Sequence, residues 1–505
     1  MSRAVRVATL ALLLGACGGE NPPPQLPASA MPSATASQTA GAEPPDPLGP
    51  QPTVATGAPF VPPAPQVFAG TNGITVWLLE RHQVPLVSCD IHVPTGASSD
   101  PRDKAGLAYV TANMLDEGAG TRGAIDLARA IDDLGAQIGT DANADASFVT
   151  VTVLKRNLGK AFALFGDVVT RPRMDSAEFK RVKDLWANEL REREKDPDAT
   201  ARVVYRVALF GADHPYGHPW DGTIKTAKAI ALEDVRTFYK SSWRPDRATL
   251  VCVGDIDKAG LSSLMDAAFG AWKAPATPML APVVPPPPKG PWPRLVMVDR
   301  PDAPQSVVAM VKVGVAAASP DKAPLWRAND VIGGSFTSRL NQDLREAHGY
   351  TYGAHTRYSS SRGMGQVVAY AAVRTDATGD ALGAMLADLK KFAAEGVAPD
   401  EVERSRSQAR GELVSAYESD EAIAGRLASG ASLGLGPDFD GKESQLRDSA
   451  AKADIDRVAK QYFDPDGAII VVVGPRARVQ PQIDKLGMPA PEMRDAQGNV
   501  LTTAK

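Results

Sequence analysis

The sequence contains little cysteine, with three in 505 residues, at positions 17, 89 and 252. Three cysteines are too few for the disulfide framework that stabilises small secreted domains, so the fold must depend on an apolar core. Cys89 and Cys252 lie inside apolar stretches that are typical of β-strands. We therefore expect both to be buried, unreactive thiols.

The sequence also lacks any apolar run of about eighteen residues, the length that a membrane-spanning helix requires. It has no long basic run and its net charge is −4, which argues against nucleic acid as a partner. No Gly-x-Ser-x-Gly, Cys/His or paired-aspartate signature stands out, so a hydrolase built on one of those sites is not indicated. Hydrophobic residues make up 44% of the chain and charged residues 23%, as in an ordinary globular protein of two or three domains.

The first seventeen residues have the features of an export signal. A basic start precedes a short apolar run at 8–14, which is too short to span a bilayer. Residues 14–17, Leu-Gly-Ala-Cys, then resemble a bacterial lipobox, in which the cysteine is lipidated and becomes the mature N-terminus. An ordinary signal peptide with an incidental cysteine is the alternative. The lipobox predicts a periplasm-facing lipoprotein anchored to the cell envelope through Cys17. Gly18 follows that cysteine in place of the aspartate typical of inner-membrane retention, which favours the outer membrane.

Composition divides the rest of the chain. Residues 18–65 are rich in Pro, Ala, Ser and Thr and poor in large apolar residues, which predicts a disordered tether. A second proline-rich stretch, 281–294, predicts a semi-rigid linker. This linker separates an N-terminal domain, 66–280, from a C-terminal domain, 295–490, and leaves 491–505 as a tail.

The two predicted domains resemble each other in sequence. Eight residues of the first recur in the second at an offset of 220 (474 − 254 = 220), one of them conservatively, which indicates duplication of a whole domain. The eight are Asp234, Val235, Pro245, Asp246, Ala248, Val251, Val253 and Gly254, matched by Asp454, Ile455, Pro465, Asp466, Ala468, Val471, Val473 and Gly474.

Strand-like and helical patterns are mixed without the strict alternation of βαβ units. This favours the α+β class, with two homologous halves that each consist of a mainly antiparallel sheet and packed helices. In the first half, strands are predicted at 74–79, 86–93, 148–154 and 248–254, and helices at about 104–117, 158–169 and 175–194.

The helical stretch at 106–118 carries a family resemblance. Its Gly-Leu-Ala opening is similar to the helix that bears His-x-x-Glu-His in insulinase/pitrilysin-type zinc metallopeptidases, the inverzincin class that includes processing peptidases. In that motif, two histidines on one helical face hold a zinc ion and the glutamate activates its bound water. The matching positions here hold Tyr109, Ala112 and Asn113. Alanine cannot act as a base and a tyrosine–asparagine pair is a poor zinc chelate, so we expect no metal in this chain.

The family's third zinc ligand is a glutamate on a later helix. Glu189 matches that position, 76 residues beyond Asn113 (189 − 113 = 76). The alternative is a solvated glutamate on a charged helix face. A single carboxylate does not hold zinc, so neither interpretation restores the site.

Residues 335–353 resemble the stretch that contains the family's Arg/Tyr pair. The matching residues are Arg345 and Tyr352 (352 − 345 = 7). In active relatives this pair faces the zinc across a closing, clamshell-like cavity, binds the substrate backbone and helps to stabilise the oxyanion, a role that guanidinium and phenol donors suit. The alternative is an arginine that pairs with Glu346 or Asp343, and a core tyrosine.

Two histidines four residues apart, His214 and His218, could be taken for a metal site. They lie in the sequence His-Pro-Tyr-Gly-His-Pro, whose prolines and glycine prevent helical register. We therefore interpret 214–219 as a structural turn.

The chain thus keeps the substrate-side half of a peptidase and lacks the zinc half. The resemblance, which covers about residues 66–490, implies a clamshell that serves as the non-catalytic, substrate-binding subunit of a zinc peptidase complex in the cell envelope. Its partners would be a related zinc-bearing subunit, a peptide and, through the lipid anchor, a membrane. The chain itself would bind no cofactor, since zinc would reside in the partner. A peptide-binding or structural scaffold with no proteolytic role is the alternative.

Overall fold

In the computed structural model, the chain is described at residues 59–277, 283–292 and 294–501. The predicted signal peptide, Cys17 and residues 18–58 of the predicted tether lie outside the described residues. Two six-stranded sheets form the framework. The first contains β1 (Gln66–Ala69), β2 (Thr75–Glu80), β3 (Leu86–Val93), β4 (Gln137–Ala142), β5 (Ser147–Leu154) and β6 (Thr249–Gly254). The second contains β7 (Leu295–Asp299), β8 (Gln305–Val313), β9 (Thr351–Ser360), β10 (Gly365–Arg374), β11 (Ile469–Gly474) and β12 (Glu492–Met493).

The two sheets share one strand order. The first runs β1-β2-β6-β3-β5-β4 and the second β12-β7-β11-β8-β10-β9, so the second to sixth positions correspond one to one. Among the described strands, β2 with β6, β7 with β11 and β7 with β12 are the parallel pairs, and the others are antiparallel. The predicted α+β fold of two homologous, mainly antiparallel halves is confirmed, and the predicted tail contributes the edge strand β12.

Helices cover both sheets. Those of the first half are α1 (Leu107–Asn113), α2 (Ala124–Asp132), α3 (Leu158–Thr170), α4 (Ser176–Lys195), α5 (Pro197–Phe210), α6 (Ile224–Ala229), α7 (Leu232–Ser242) and α8 (Lys258–Phe269). Those of the second half are α9 (Lys322–Asn329), α10 (Thr378–Glu395), α11 (Pro399–Ser415), α12 (Asp420–Ser432), α13 (Phe439–Ser449), α14 (Lys452–Phe463) and α15 (Arg476–Asp484). In the described part of the chain, no helix combines the length and apolar character needed to cross a bilayer.

One helix of each half packs on the sheet of the other half. Helix α5 covers β8 and β11 of the second sheet, and α12 covers β3 and β6 of the first. These contacts are apolar: Val204 and Val471 belong to one buried cluster, and Leu427 and Val251 belong to another. Because β6 and β11 are buried on both faces, their side chains are apolar with little alternation. This exchange joins the two halves through two shared apolar clusters.

A buried carboxylate also joins the halves. Asp145, in the first half, is 3% exposed. It accepts hydrogen bonds from the hydroxyl of Tyr216 at 2.7 Å and from the backbone N–H of Arg362, in the second half, at 2.8 Å. Tyr216 belongs to the turn at 214–219, where the Nε2 of His214 lies 3.1 Å from the carbonyl oxygen of Pro285. The structural interpretation of that turn agrees with these contacts.

The prediction of free thiols at Cys89 and Cys252 is wrong in one respect. Both residues are buried as expected, but they are joined in a disulfide between β3 and β6. The two residues stand directly opposite each other in the antiparallel register, with their Cα atoms 4.2 Å apart. They are 163 residues apart in the sequence, so only the tertiary pairing of the strands brings them together.

Candidate functional site

Helix α1, which carries the family motif positions, is fixed at its N-terminus by Asp100. The carboxylate accepts hydrogen bonds from the backbone N–H groups of Gly106 at 2.7 Å, Leu107 at 3.1 Å and Ala108 at 2.8 Å. Gly106 has φ +91°, which a residue with a Cβ rarely adopts. Burial raises the pKa of Asp100 to about 8, and the three N–H groups oppose that rise.

The three motif positions have other roles. Ala112 is completely buried in the core of the first half. The side-chain amide of Asn113 donates to the carbonyl oxygen of Tyr109, one turn earlier in the helix, at 2.9 Å. The ring of Tyr109 lies 5.2 Å from that of Trp220 and 6.1 Å from that of Trp186. An aromatic cluster thus takes the place of a metal-binding pair.

Glu189 lies next to this cluster. It is exposed on α4, one turn after Trp186, whose indole N–H donates to the carbonyl oxygen of Asp221 at 2.8 Å. The hydroxyl of Tyr109 donates toward Oε2 of Glu189 at 3.4 Å. Burial raises the pKa of Tyr109, and the nearby carboxylates of Glu189 and Asp141 raise it further. The structure therefore brings the first motif position and the predicted third-ligand position together.

These residues do not fit a zinc ion. Of the positions that match the family's ligands, only Glu189 has a side chain that commonly binds zinc. Asn113 is turned back to its own helix, and Ala112 has no group that accepts a proton. Within the three described ranges, no group of three or more His, Cys, Asp or Glu side chains is arranged to hold a metal ion.

The Arg/Tyr pair lies in the second half. Arg345 belongs to a π-helical segment, Asn341–Ala347, which packs against β9, the strand that carries Tyr352. The guanidinium of Arg345 lies 4.4 Å from the ring centre of Phe336, and its Nε lies 3.5 Å from Oε1 of Glu346. Tyr352 is 91% exposed, so the alternative of a core tyrosine is wrong.

Asn341 holds the segment and the strand together. Its side-chain nitrogen donates to the carbonyl oxygen of Phe336 at 3.1 Å, and its side-chain oxygen accepts from the backbone N–H of Ala354 at 2.9 Å. Gly349, at φ +61°, makes the turn between them. Sequence reasoning missed Asn341 and also Asp100. The signal for Asp100 was a carboxylate shortly before a helix start, whereas nothing in the sequence distinguishes Asn341.

The two groups of residues are separate. No hydrogen bond, ion pair or ring contact recorded in the described part of the chain joins Arg345 or Tyr352 to Tyr109, Asn113 or Glu189. Each half therefore presents its own half-site, and the clamshell arrangement of the halves is what relates them.

The fold and these half-sites define an M16-type peptidase clamshell, and sequence comparison agrees. Two family models match: insulinase (peptidase family M16) at residues 75–211, and the peptidase M16 inactive domain at 229–409. An uncharacterized zinc protease of Mycobacterium bovis is 26% identical over 366 residues, or 71% of this chain and 81% of that protein. One from Bacillus subtilis is 24% identical over 353 residues, or 69% of this chain and 83% of that protein.

Solved structures show the same fold. A peptidase M16 inactive domain from Pseudomonas fluorescens superposes with a TM-score of 0.76 at 21% identity, covering 81% of this chain and 98% of that one. A protease from Helicobacter pylori gives 0.74 at 19% identity, covering 82% and 100%. Complex III2 from Candida albicans contains a chain that gives 0.68 at 14%, covering 83% and 99%. The protein belongs to the M16 insulinase family, and the family resemblance predicted from the sequence is confirmed.

Proposed function

We propose that this chain is a non-catalytic, substrate-binding subunit of a zinc-dependent peptidase complex. The observation that carries the proposal is the chemistry of α1. An M16 chain with tyrosine and asparagine at 109 and 113 cannot hold the catalytic zinc, and one with a buried alanine at 112 has no base to activate water. Proteolysis would therefore need a second, zinc-bearing chain.

The contribution of this chain would come from Arg345 and Tyr352. Both side chains are donors, and both reach solvent, Tyr352 almost completely. Set against a partner's zinc, they would donate hydrogen bonds to the substrate backbone and to the developing oxyanion. The contact of Arg345 with Glu346 is solvent-exposed and therefore weak. It does not prevent the guanidinium from turning toward a substrate.

Strand β4 offers a way to hold the peptide. It is an outermost strand of the first sheet, and it packs beside α1. An extended peptide can add to such an edge through backbone hydrogen bonds, with little demand on its sequence. This agrees with a subunit whose task is to bind substrate rather than to cleave it.

The proposed location is the bacterial cell envelope, through a lipid on Cys17. The lipobox-like sequence supports this, and so does the disulfide between Cys89 and Cys252, since such bonds persist mainly in oxidising compartments. The anchored chain would then face the periplasm, with the outer membrane favoured over the inner.

A structural or peptide-binding scaffold is the second candidate. It is favoured by the position of the Arg345 guanidinium, which lies over the ring of Phe336 in its own half. The fold shared with a chain of complex III2 agrees with this candidate too.

Reconstitution tests the proposal. We expect the isolated chain to hydrolyse peptides at the background rate, and to raise the turnover of a zinc-bearing M16 chain from the same organism when the two are mixed. Co-purification of the two chains without any rise in turnover would favour the scaffold, and failure to associate would count against both candidates.

A further inference from the structure

Three arginine side chains converge around Tyr205, where the two halves meet. Arg202 and Arg206 lie one turn apart on α5, and Arg357 lies on β9. Arg357 is paired across the sheet with Val368, which packs in the same apolar cluster as α5, so Arg357 is on the face that α5 covers. All three guanidinium groups lie within electrostatic range of the Tyr205 hydroxyl, where they oppose the burial that raises its pKa.

None of these three arginines has a hydrogen-bond or ion-pair partner among the residues that the structure describes. The carboxylates in their neighbourhood are bound elsewhere. Asp221, which is within electrostatic range of Arg206, pairs with Arg193. Asp198, on the first turn of α5, accepts a hydrogen bond from the hydroxyl of Tyr370. With three guanidinium groups and two carboxylates that already have partners, the cluster carries net positive charge in a chain whose net charge is −4.

Arg206 also lines a small cavity between the halves. The cavity has a volume of about 40 Å³, and its lining includes Ser359, Ser361 and Gln366. Gln366 is 9% exposed, and its side-chain oxygen has no hydrogen-bond partner within the described residues. A water molecule occupies roughly 30 Å³ in the liquid, so the cavity is large enough for the tip of a polar side chain but not for a ring.

Desolvating a guanidinium that no anion contacts directly is unfavourable, and burial lowers the pKa of Arg206 more than the charge of Asp221 raises it. A carboxylate ligand would remove this penalty, because its two oxygens match the planar donors of arginine. The cluster shares one element with the second half-site, because β9 carries Tyr352 as well as Arg357, and its helix α5 directly follows α4, which carries Glu189.

We propose that Arg202, Arg206 and Arg357 form a subsite for a carboxylate of the bound peptide, so that this chain selects acidic peptides. The proposal rests on the peptide-binding function above and names its substrate class. Positive charge lining a cleft between two low-dielectric walls attracts such peptides over a longer range than neutral contacts do.

Fluorescence anisotropy of labelled ten-residue peptides with the detergent-solubilised full-length protein tests the subsite. The peptides differ only by Glu or Gln at one central position, and each is made with a free or an amidated C-terminus. We expect the glutamate peptide to bind at least about tenfold more tightly, which is the usual strength of one charged hydrogen bond, and the difference to shrink as salt is added.

The preference should disappear in Arg206→Gln and in the double variant Arg202→Gln/Arg357→Gln. Because Arg202 and Arg357 are exposed, we expect the double variant to fold normally. The preference should persist in Arg156→Gln, an exposed and unpaired arginine outside the cluster. A preference for the free C-terminus that these variants abolish also supports the subsite and assigns it to the terminal carboxylate. Equal affinity for all four peptides overturns the subsite but leaves peptide binding intact, whereas no binding of any peptide overturns both.

Discussion

The phenolic oxygen of Tyr109 lies 3.4 Å from Oε2 of Glu189, although the two residues are 80 positions apart in the sequence. In the M16 family the corresponding positions are expected to hold one metal ion between them. The backbone positions of that site are thus kept in this chain. The side chains that would bind metal are replaced on α1, whereas the glutamate on α4 is retained.

Restoring the two histidines should therefore create a metal site. We expect Tyr109→His/Asn113→His to bind about one zinc per chain, because Glu189 would supply a third ligand, whereas the wild-type chain contains none. Elemental analysis after dialysis measures this. Adding Glu189→Gln is the control and should weaken zinc binding strongly. A wild-type chain with one tightly held zinc would contradict the degenerate-site account.

Loss of the Cys89–Cys252 disulfide should destabilise the first half. The bond closes a long loop, so we expect Cys89→Ala/Cys252→Ala to lower the free energy of unfolding by about 2–5 kcal/mol. Urea unfolding with and without reductant measures the loss. Reductant should destabilise the wild type and leave the double variant unchanged. Two free thiols at these positions in the unreduced, exported protein would show that the bond does not form.

The carboxylate of Asp145 should be important for the junction of the halves. Asp145→Ala removes the acceptor for the hydroxyl of Tyr216 and for the N–H of Arg362, and leaves both donors in a buried place. We expect a loss of about 2–4 kcal/mol in the free energy of unfolding. Asp376→Ala is the matched control, since that exposed carboxylate has only a surface partner, and it should cost less than about 0.5 kcal/mol. Equal effects of the two substitutions would refute a junction role.

Membrane attachment should depend on Cys17. We expect the wild-type protein in the membrane fraction and Cys17→Ala in the soluble fraction, because a lipid on the cysteine would be its anchor. Cell fractionation followed by immunoblotting measures this, with Cys89→Ala as a control that should stay in the membrane fraction. A Cys17→Ala protein that remains wholly with the membranes would count against lipidation.

Elements with strong local periodicity could be predicted from the sequence. Strand β3 was predicted at 86–93 and is Leu86–Val93, and α4 was predicted at 175–194 and is Ser176–Lys195. Helix α1 was predicted too long, at about 104–117. It begins only after Gly106, whose positive φ and hydrogen bond to Asp100 separate it from the preceding turn.

Long-range features could not be predicted, because they depend on which elements meet. An apolar face on α5 shows that the helix is buried, but not that it lies on the second sheet. The disulfide depends on the register that sets Cys89 opposite Cys252. At the site, the motif gave the positions of Tyr109, Glu189 and Arg345, while the contact of Arg345 with Phe336 required the structure.

The proposed role of this chain requires that Arg345 and Tyr352 act on a substrate held at a partner's zinc. The direct measurement is the turnover of the complex between this chain and a zinc-bearing M16 partner, with assembly of each variant checked by gel filtration. Arg374→Ala, at an exposed arginine on another strand, is the control and should retain full turnover.

We predict that Arg345→Ala and Tyr352→Phe each lower turnover by about a hundred- to a thousandfold while leaving assembly intact, as loss of one oxyanion donor does. Arg345→Lys should recover only part of the loss, because lysine keeps the charge but not the planar donor pair. Unchanged turnover of correctly assembled complexes carrying Arg345→Ala or Tyr352→Phe would contradict the account and identify the chain as a scaffold.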